Sequence, residues 1–117
     1  MIRRKDEAEI KINPHMRGGD GTVTVKGLLR KDEGEFYGKG RLFAEIDIPV
    51  GASIGRHLHE GEMETFYILS GKALFHDNGR DVEVGEGDVC YTASGEEHAI
   101  RNIGEEELRL MALILYQ

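Results

Sequence analysis

The chain has 117 residues, with 22 acidic and 15 basic side chains and a formal net charge of −7 at pH 7. This length supports one hydrophobic core and one domain, and the acidic balance argues against nucleic acid or anionic lipid as a partner. No segment has the length and hydropathy of a membrane span or of a signal-peptide core. The single cysteine, Cys90, excludes an internal disulfide and fits a reducing compartment, so we expect a cytoplasmic protein.

Short apolar runs separated by 16 glycines predict many strands and tight turns. Alternation predicts a first strand over 9–12, ended by Asn13-Pro14. The glycine-rich segment 16–21 lacks the trailing lysine of a phosphate-binding loop, and we interpret it as a turn or a subunit contact. Strands follow at 22–25 and 42–48, the second with alternate apolar side chains on one face.

The second half of the chain continues the strand pattern. A turn at 60–63 precedes an apolar strand over 65–69, with Glu64 at its mouth. The segments 73–76 and 82–84 are predicted to form a hairpin, because Asn78-Gly79 favours a tight turn between them. A turn at 85–88 leads to a strand at 89–92. The final segment 108–116 is apolar on both faces, which predicts that a second layer or a partner subunit covers it, and we expect a homodimer.

Four side chains form a candidate metal site: His57, His59, Glu64 and His98. Because side chains alternate along a strand, His57 and His59 lie on the same side, and a face shared by His98, Ile100 and Asn102 brings the third imidazole to the interior. Three imidazoles and one carboxylate leave one or two open positions on an ion that prefers five or six ligands. The set suits one divalent Mn, Fe, Ni, Cu or Zn ion per chain, whereas Ca and Mg prefer oxygen ligands.

Other polar residues receive structural interpretations. We interpret His15 and His76 as non-ligands, Cys90 as buried apolar filler and Asn102 as a residue that holds backbone. Four carboxylates flank the ligands: Glu60, Glu62, Glu96 and Glu97. We interpret them as solvated loop charges. The alternative is that one of them gates the site or acts as a general base.

Because residues two positions apart on a strand share a face, the orientation of Glu64 predicts which of its neighbours face the interior. If Glu64 points inward, Phe66 and Ile68 do so as well, which makes the site partly apolar. Phe75 and Tyr91 are further candidates for its lining. Arg56 precedes a ligand by one residue and is expected on the opposite face.

The spacing of these residues resembles that of a known family. Gly51, His57, His59, Glu64 and Gly71 match, position for position, the first conserved motif of the cupins. A second stretch resembles their second motif, at Gly87, Gly95, His98 and Asn102. The family usually has a proline where this chain has Ala93, which loosens a turn but removes no ligand.

By this resemblance the chain is identified as a member of the small single-domain bacterial cupins of the cupin 2 type. One domain is expected over 1–117, with motif one at 51–71 and motif two at 87–102. The resemblance implies an all-β jelly-roll barrel, the double-stranded β-helix, and pairing of subunits sheet to sheet. The four motif glycines are expected at turns that need unusual backbone angles.

Two classes of function remain open. In the first, the protein is a metal-dependent enzyme acting on a small oxygenated substrate, as are the dioxygenases, decarboxylases and sugar isomerases among the cupins that it resembles. In the second, it is a non-catalytic, metal-containing module that binds or senses a small ligand. No short motif assigns a catalytic acid or base. The only candidates for the phosphate subsite that an isomerase needs are Lys39, Arg41 and Arg101.

Overall fold

The computed structural model describes residues 1–117 as ten strands with no α-helix. The strands are β1 Glu9–Pro14, β2 Thr22–Gly27, β3 Gly40–Ile48, β4 Ser53–Leu58, β5 Glu62–Ser70, β6 Lys72–Asp77, β7 Arg80–Gly85, β8 Val89–Thr92, β9 Glu97–Asn102 and β10 Leu108–Tyr116. Short 3-10 turns lie at Lys5–Glu7, Met16–Gly18 and Lys31–Glu33. No helix has the length and hydropathy needed to span a membrane.

Two antiparallel sheets enclose one core. The six-stranded sheet has the order β1-β2-β3-β10-β5-β8, and the four-stranded sheet has the order β4-β9-β6-β7. Alternate residues along the strands are buried between the sheets; on β9 these are His98, Ile100 and Asn102, as the sequence predicts. The all-β jelly-roll prediction is confirmed.

The β6–β7 hairpin shows why local sequence signals succeeded. Asp77 pairs with Arg80, so the turn consists of Asn78 and Gly79 alone. Their φ angles of 48° and 91° are both left-handed, which is the backbone that a type I′ turn requires and that asparagine and glycine tolerate. The four motif glycines also have positive φ, in agreement with their predicted place in turns.

The turn before β5 is shorter than predicted. Glu62 and Met63 belong to β5, where they pair with Tyr116 and Leu115 of β10. The chain reverses at Gly61, whose φ of 73° supplies the left-handed backbone that the reversal needs. Glu62 is therefore a strand residue and not a loop residue.

Strand β10 buries only one of its two apolar faces within the chain. Leu108, Leu110, Ala112 and Ile114 are buried, whereas Met111 and Leu113 are half-buried and Leu115 is 37% exposed. No second layer of the chain covers that outer side. Register places further outward residues of β3, β5 and β8 beside it. We call the resulting surface the outer patch: Phe43, Tyr67, Val89, Met111 and Leu113.

Asn102 fastens the end of β9 to its surroundings. Its amide donates to the backbone carbonyls of Ile48 at 2.9 Å and Glu106 at 2.8 Å, and its side-chain oxygen accepts from the Gly104 N–H at 2.9 Å. The residue is 2% exposed. The interpretation of Asn102 as a residue that holds backbone is confirmed.

Candidate metal centre

Both sheets contribute side chains to the candidate metal centre. His57 lies on β4 and His59 directly after it, while His98 lies on β9, where it pairs with His57 across the ladder. Glu64 comes from β5 of the opposite sheet. The pairing register between β4 and β9 shifts between Ile54 and His57, and this bulge aims His57 into the interior.

The four donor atoms converge on one point. The Nε2 atom of His98 lies 3.0 Å from His59 Nε2 and 3.1 Å from His57 Nε2, and Glu64 Oε1 lies 3.0 Å from both His59 Nε2 and His98 Nε2. All four atoms lie within 4.8 Å of one another. Two ligand atoms about 2.1 Å from an ion and at right angles to each other are about 3.0 Å apart. The donor set therefore fits a transition-metal ion.

Each imidazole is oriented through its other nitrogen. His57 Nδ1 lies 2.8 Å from the Gly55 carbonyl oxygen, and His59 Nδ1 lies 3.0 Å from Glu62 Oε1. Because these oxygens only accept, both Nδ1 atoms carry a proton and donate. His98 Nδ1 lies 2.9 Å from the Thr92 hydroxyl, which can accept its proton. This pattern directs the Nε2 atoms to the centre, as in metal-binding histidines.

Protonation of the centre differs from ligand to ligand. Burial lowers the pKa of His57 to about 4, so its imidazole is neutral at pH 7. Burial opposes ionisation of Glu64, but the bonds to His59 and His98 outweigh it and lower the pKa of Glu64 to about 2. The bond to Glu64 raises the pKa of His59. A proton therefore competes with an ion for His59, and ion binding would release that proton.

Glu62 is the functional residue that the sequence analysis misinterpreted. Its side chain is not a solvated loop charge, since it receives the bond from His59 and two more from Arg41, at 2.8 and 2.7 Å. Arg41 lowers the pKa of Glu62 to about 2. Glu62 therefore stays ionised and orients His59. The sequence signal was weak, because Arg41 lies 21 residues earlier in the chain.

The other flanking carboxylates do not line the centre. Glu60 is exposed. Glu96 accepts from the Ala93 N–H at 2.7 Å, which closes the turn before β9, and Glu97 Oε1 lies 3.2 Å from His76 Nε2.

A small cavity of about 160 Å³ is lined by three of the four donor residues, all except His98. This volume is below the roughly 300 Å³ at which pockets for drug-sized ligands begin. Its lining includes Phe66, which stacks on the His98 ring at a centroid distance of 5.1 Å. The predicted inward orientation of Phe66 and Ile68 is confirmed. Tyr91 is 57% exposed, so its assignment to the lining is wrong, because alternation on β8 turns Cys90 inward instead.

Besides histidines, the cavity lining contains four charged groups: three cations and the carboxylate of Glu64. The cations are Lys11, Arg17 and Arg41. Of these, only Arg41 was expected from sequence, because Lys11 and Arg17 reach the cavity through the packing of the N-terminal segment. Lys39 does not line the cavity, and Arg101 pairs with Asp20 elsewhere, so the three cations suggested for a phosphate do not gather at the site.

A wider hollow of about 600 Å³ adjoins the cavity. The two spaces share Lys11, Val25, Arg41 and Leu42 in their linings.

Phe75 is buried but absent from the cavity lining, so its assignment to the lining is wrong, whereas His15 and His76 have partners of their own outside the donor set. His15 Nδ1 lies 3.1 Å from the Gly19 carbonyl oxygen, and His76 Nδ1 lies 2.9 Å from Asp81 Oδ1. Neither residue belongs to the donor set. Cys90 is buried, and burial raises the pKa of its thiol to about 11.

Two antiparallel sheets around a three-histidine, one-carboxylate centre define a small β-barrel with a site of the metal-binding type. Comparison with known proteins gives the family: the model described as Cupin domain matches residues 44–114. The chain belongs to the cupin family.

Relatives share most of the chain. An oxalate-binding protein of Thermotoga maritima is 46% identical over 115 residues, which cover 98% of this chain and 93% of that protein. A crystal structure from Thermotoga maritima, described as a predicted oxalate decarboxylase, matches with a TM-score of 0.93 and 45% identity over the whole of both chains. The polyketide cyclase RemF of Streptomyces resistomycificus has a TM-score of 0.75 at 20% identity, covering 99% of this chain and 80% of that one, and shows a shared fold alone.

Proposed function

We propose that His57, His59, Glu64 and His98 bind one divalent transition-metal ion per chain and that this ion binds a small dicarboxylate such as oxalate. The observation that carries the proposal is the convergence of four donor atoms, with four of their six separations at 3.0–3.1 Å and all within 4.8 Å, beside a small cavity lined by three of the donor residues and by cations.

Four of the six donor separations, at 3.0–3.1 Å, match neighbouring ligands of a six-coordinate ion. Two ligands about 2.1 Å from a tetrahedral ion are about 3.4 Å apart, whereas right-angled ligands are about 3.0 Å apart. Among Mn, Fe, Ni, Cu and Zn, the separations therefore favour the ions that take octahedral geometry over tetrahedral zinc. Four protein ligands then leave two positions, which is the number that a chelating dicarboxylate requires.

Ligand class follows from the size and charge of the cavity. A volume of about 160 Å³ restricts the ligand to a small molecule, and the cations on the lining favour an anion. Apolar side chains on the lining limit the amount of water around the bound acid. These side chains are Ile46, Ile54, Phe66 and Ile114. The oxalate-binding relative, at 46% identity, supports oxalate as the first acid to test.

The test is a titration of the metal-loaded protein with oxalate. Elemental analysis should find about one ion per chain in the parent protein and much less in His59→Ala. The control, His15→Ala, removes a histidine outside the donor set and should keep the ion. Isothermal titration calorimetry should show oxalate binding to the loaded parent and none to His59→Ala. Equal metal occupancy in the two variants would refute the ligand assignment.

Decarboxylation of oxalate is the second candidate, favoured by the 45% identity to the structure described as a predicted oxalate decarboxylase. A bound divalent ion would supply Lewis acidity toward the acid's oxygens. However, Glu64 is the one carboxylate of the lining, and it serves as a ligand in our proposal, which favours binding over a reaction that needs a further carboxylic acid. Incubation with ¹³C-oxalate, followed by NMR for formate and carbon dioxide, separates the two candidates.

We also propose that the outer patch pairs two copies of the chain. Its apolar side chains cross four neighbouring strands, and Tyr67 and Val89 are exposed in the single chain. A contiguous apolar surface of this kind is typical of an interface. Light scattering at micromolar concentration should give twice the chain mass of 13.1 kDa, and Val89→Asp should shift the mass toward the monomer. A monomeric parent would contradict the proposal.

The proposed compartment is the cytoplasm. The one thiol, that of Cys90, is buried and unpaired, a state that persists in a reducing environment. Recovery of the protein in the cytoplasmic fraction of its source cells checks this assignment.

A further inference from the structure

We propose that Arg17, with Lys11 beside it on the cavity lining, binds the second carboxylate of the acid and makes the site selective for dianions. This inference rests on the function proposed above.

Lys11 and Arg17 are the cavity cations without an internal partner. Arg41, the third, is held by two bonds to Glu62, whereas Lys11 and Arg17 form no ion pair, although the chain carries an excess of seven negative charges. Unpaired cations at the mouth of a small cavity attract an anion from solution. A metal-bound acid with a second carboxylate supplies that anion.

Arg17 stands on a strained segment. The φ angles of His15 and Arg17 are 51° and 53°, in the left-handed region that residues with a side chain rarely adopt. Such strain persists only where the surrounding structure enforces it, and it concentrates at functional sites. We call residues 15–20 the strap.

The strap is fixed to the strand that holds the first ligand. The Asp20 N–H donates to the Ser53 hydroxyl and the Ser53 N–H to the Asp20 carbonyl, both at 2.9 Å. A Cβ atom on Gly55 would overlap the Arg17 carbonyl oxygen, so this glycine is what lets the strap touch β4 backbone to backbone.

Gly55 also orients His57, because its carbonyl accepts the His57 Nδ1–H. One backbone unit thus fixes both the Arg17 segment and a metal ligand. This arrangement sets the position of the Arg17 backbone relative to the metal centre.

An arginine suits this role for a chemical reason. The planar guanidinium presents paired donors that match the two oxygens of a carboxylate, which a lysine does not do. Oxalate carries two carboxylates, whereas glycolate carries one carboxylate and a neutral hydroxyl. Both acids chelate a metal ion through two oxygens, so a difference between them reports on the second charge.

The experiment compares two variants that lose the same charge. Arg17→Gln removes the guanidinium of an exposed residue that lines the cavity, and Arg56→Gln removes that of another exposed arginine, next to His57 in the chain, that lines a groove outside the metal cavity. Manganese-loaded proteins are titrated calorimetrically with oxalate and with glycolate, and metal content is measured for each. Loss of a charge-assisted contact should weaken oxalate binding about ten- to a hundredfold in Arg17→Gln. Glycolate binding should change little, and Arg56→Gln should match the parent for both acids.

Three results would overturn the inference: parent-like oxalate affinity in Arg17→Gln, an equal loss for both acids, or a loss as large in Arg56→Gln. If Arg17→Gln fails to fold or to retain manganese, Arg17→Lys takes its place, with an intermediate loss for oxalate expected and parent-like affinity refuting the role. A parent protein that holds manganese and binds no oxalate refutes the proposed function itself, which is a distinct outcome.

Discussion

Replacing Glu62 by glutamine should weaken metal binding although Glu62 is not a ligand. The amide keeps the shape and still offers an oxygen to His59 Nδ1–H at the 3.0 Å position. It loses the negative charge that makes His59 a stronger ligand for the metal ion. Loss of such an outer carboxylate reduces metal affinity about 10- to 100-fold. Because the hydrogen bond itself survives, we expect the lower end, about tenfold or about 1.4 kcal/mol.

Glu60→Gln is the matched control for this prediction. It makes the same change in net charge two residues away, at an exposed position outside the cavity lining. Competition between the protein and a chromophoric chelator for Mn²⁺ measures the affinity of each variant. An affinity of Glu62→Gln within twofold of the control would refute the argument that Glu62 acts through His59.

Three further changes test contacts that hold the fold together. Gly55→Ala forces a methyl group onto a backbone carbonyl of the strap and should cost about 1–3 kcal/mol in denaturant unfolding, whereas Gly27→Ala, whose nearest neighbour lies at 3.6 Å, should be near neutral. Asn102→Ala removes three buried hydrogen bonds, and at about 1 kcal/mol each it should lower the free energy of unfolding by about 3 kcal/mol; a change below about 1 kcal/mol would contradict the role of Asn102. Arg3 donates two hydrogen bonds to the Glu35 carboxylate, at 2.9 and 2.8 Å, and lowers the pKa of Glu35 from 4.5 to about 2. This pair therefore stabilises the fold above about pH 4.5, and the stabilisation is lost as the pH falls through about 2. Glu35→Gln should therefore lower the melting temperature at pH 7 and leave it unchanged near pH 2.

Strands and turns were predictable where the signal is local. The Asn78-Gly79 turn depends only on the backbone preferences of its own two residues, and alternation along β9 sorted His98 from its neighbours without knowledge of the partner strands. The start of β5 was missed because its pairing with β10 joins residues more than fifty positions apart. A local pattern cannot show such a pairing.

The candidate site divides in the same way. The convergence of the four donor residues was predictable because strand alternation places the histidines on one side and because their spacing resembles that of a known family. The contacts of Glu62 and the position of Arg17 on the cavity lining were not predictable because they come from tertiary packing. Glu62 accepts hydrogen bonds from Arg41 of β3. Arg17 reaches the cavity because the strap lies against Gly55.

The donor atoms of the centre come from opposite sheets, so the proposed ion would have a mechanical role. Backbone ladders hold each sheet together from within, but they do not run between β4 and β5, which belong to different sheets. An ion bound to His57 and Glu64 would cross-link the two sheets through the interior. Removal of the ion would leave the hydrogen bonds within each sheet intact and would make transient separation of the two sheets easier. Supply of the metal in the cell would then govern how long the protein survives proteases, independently of any ligand.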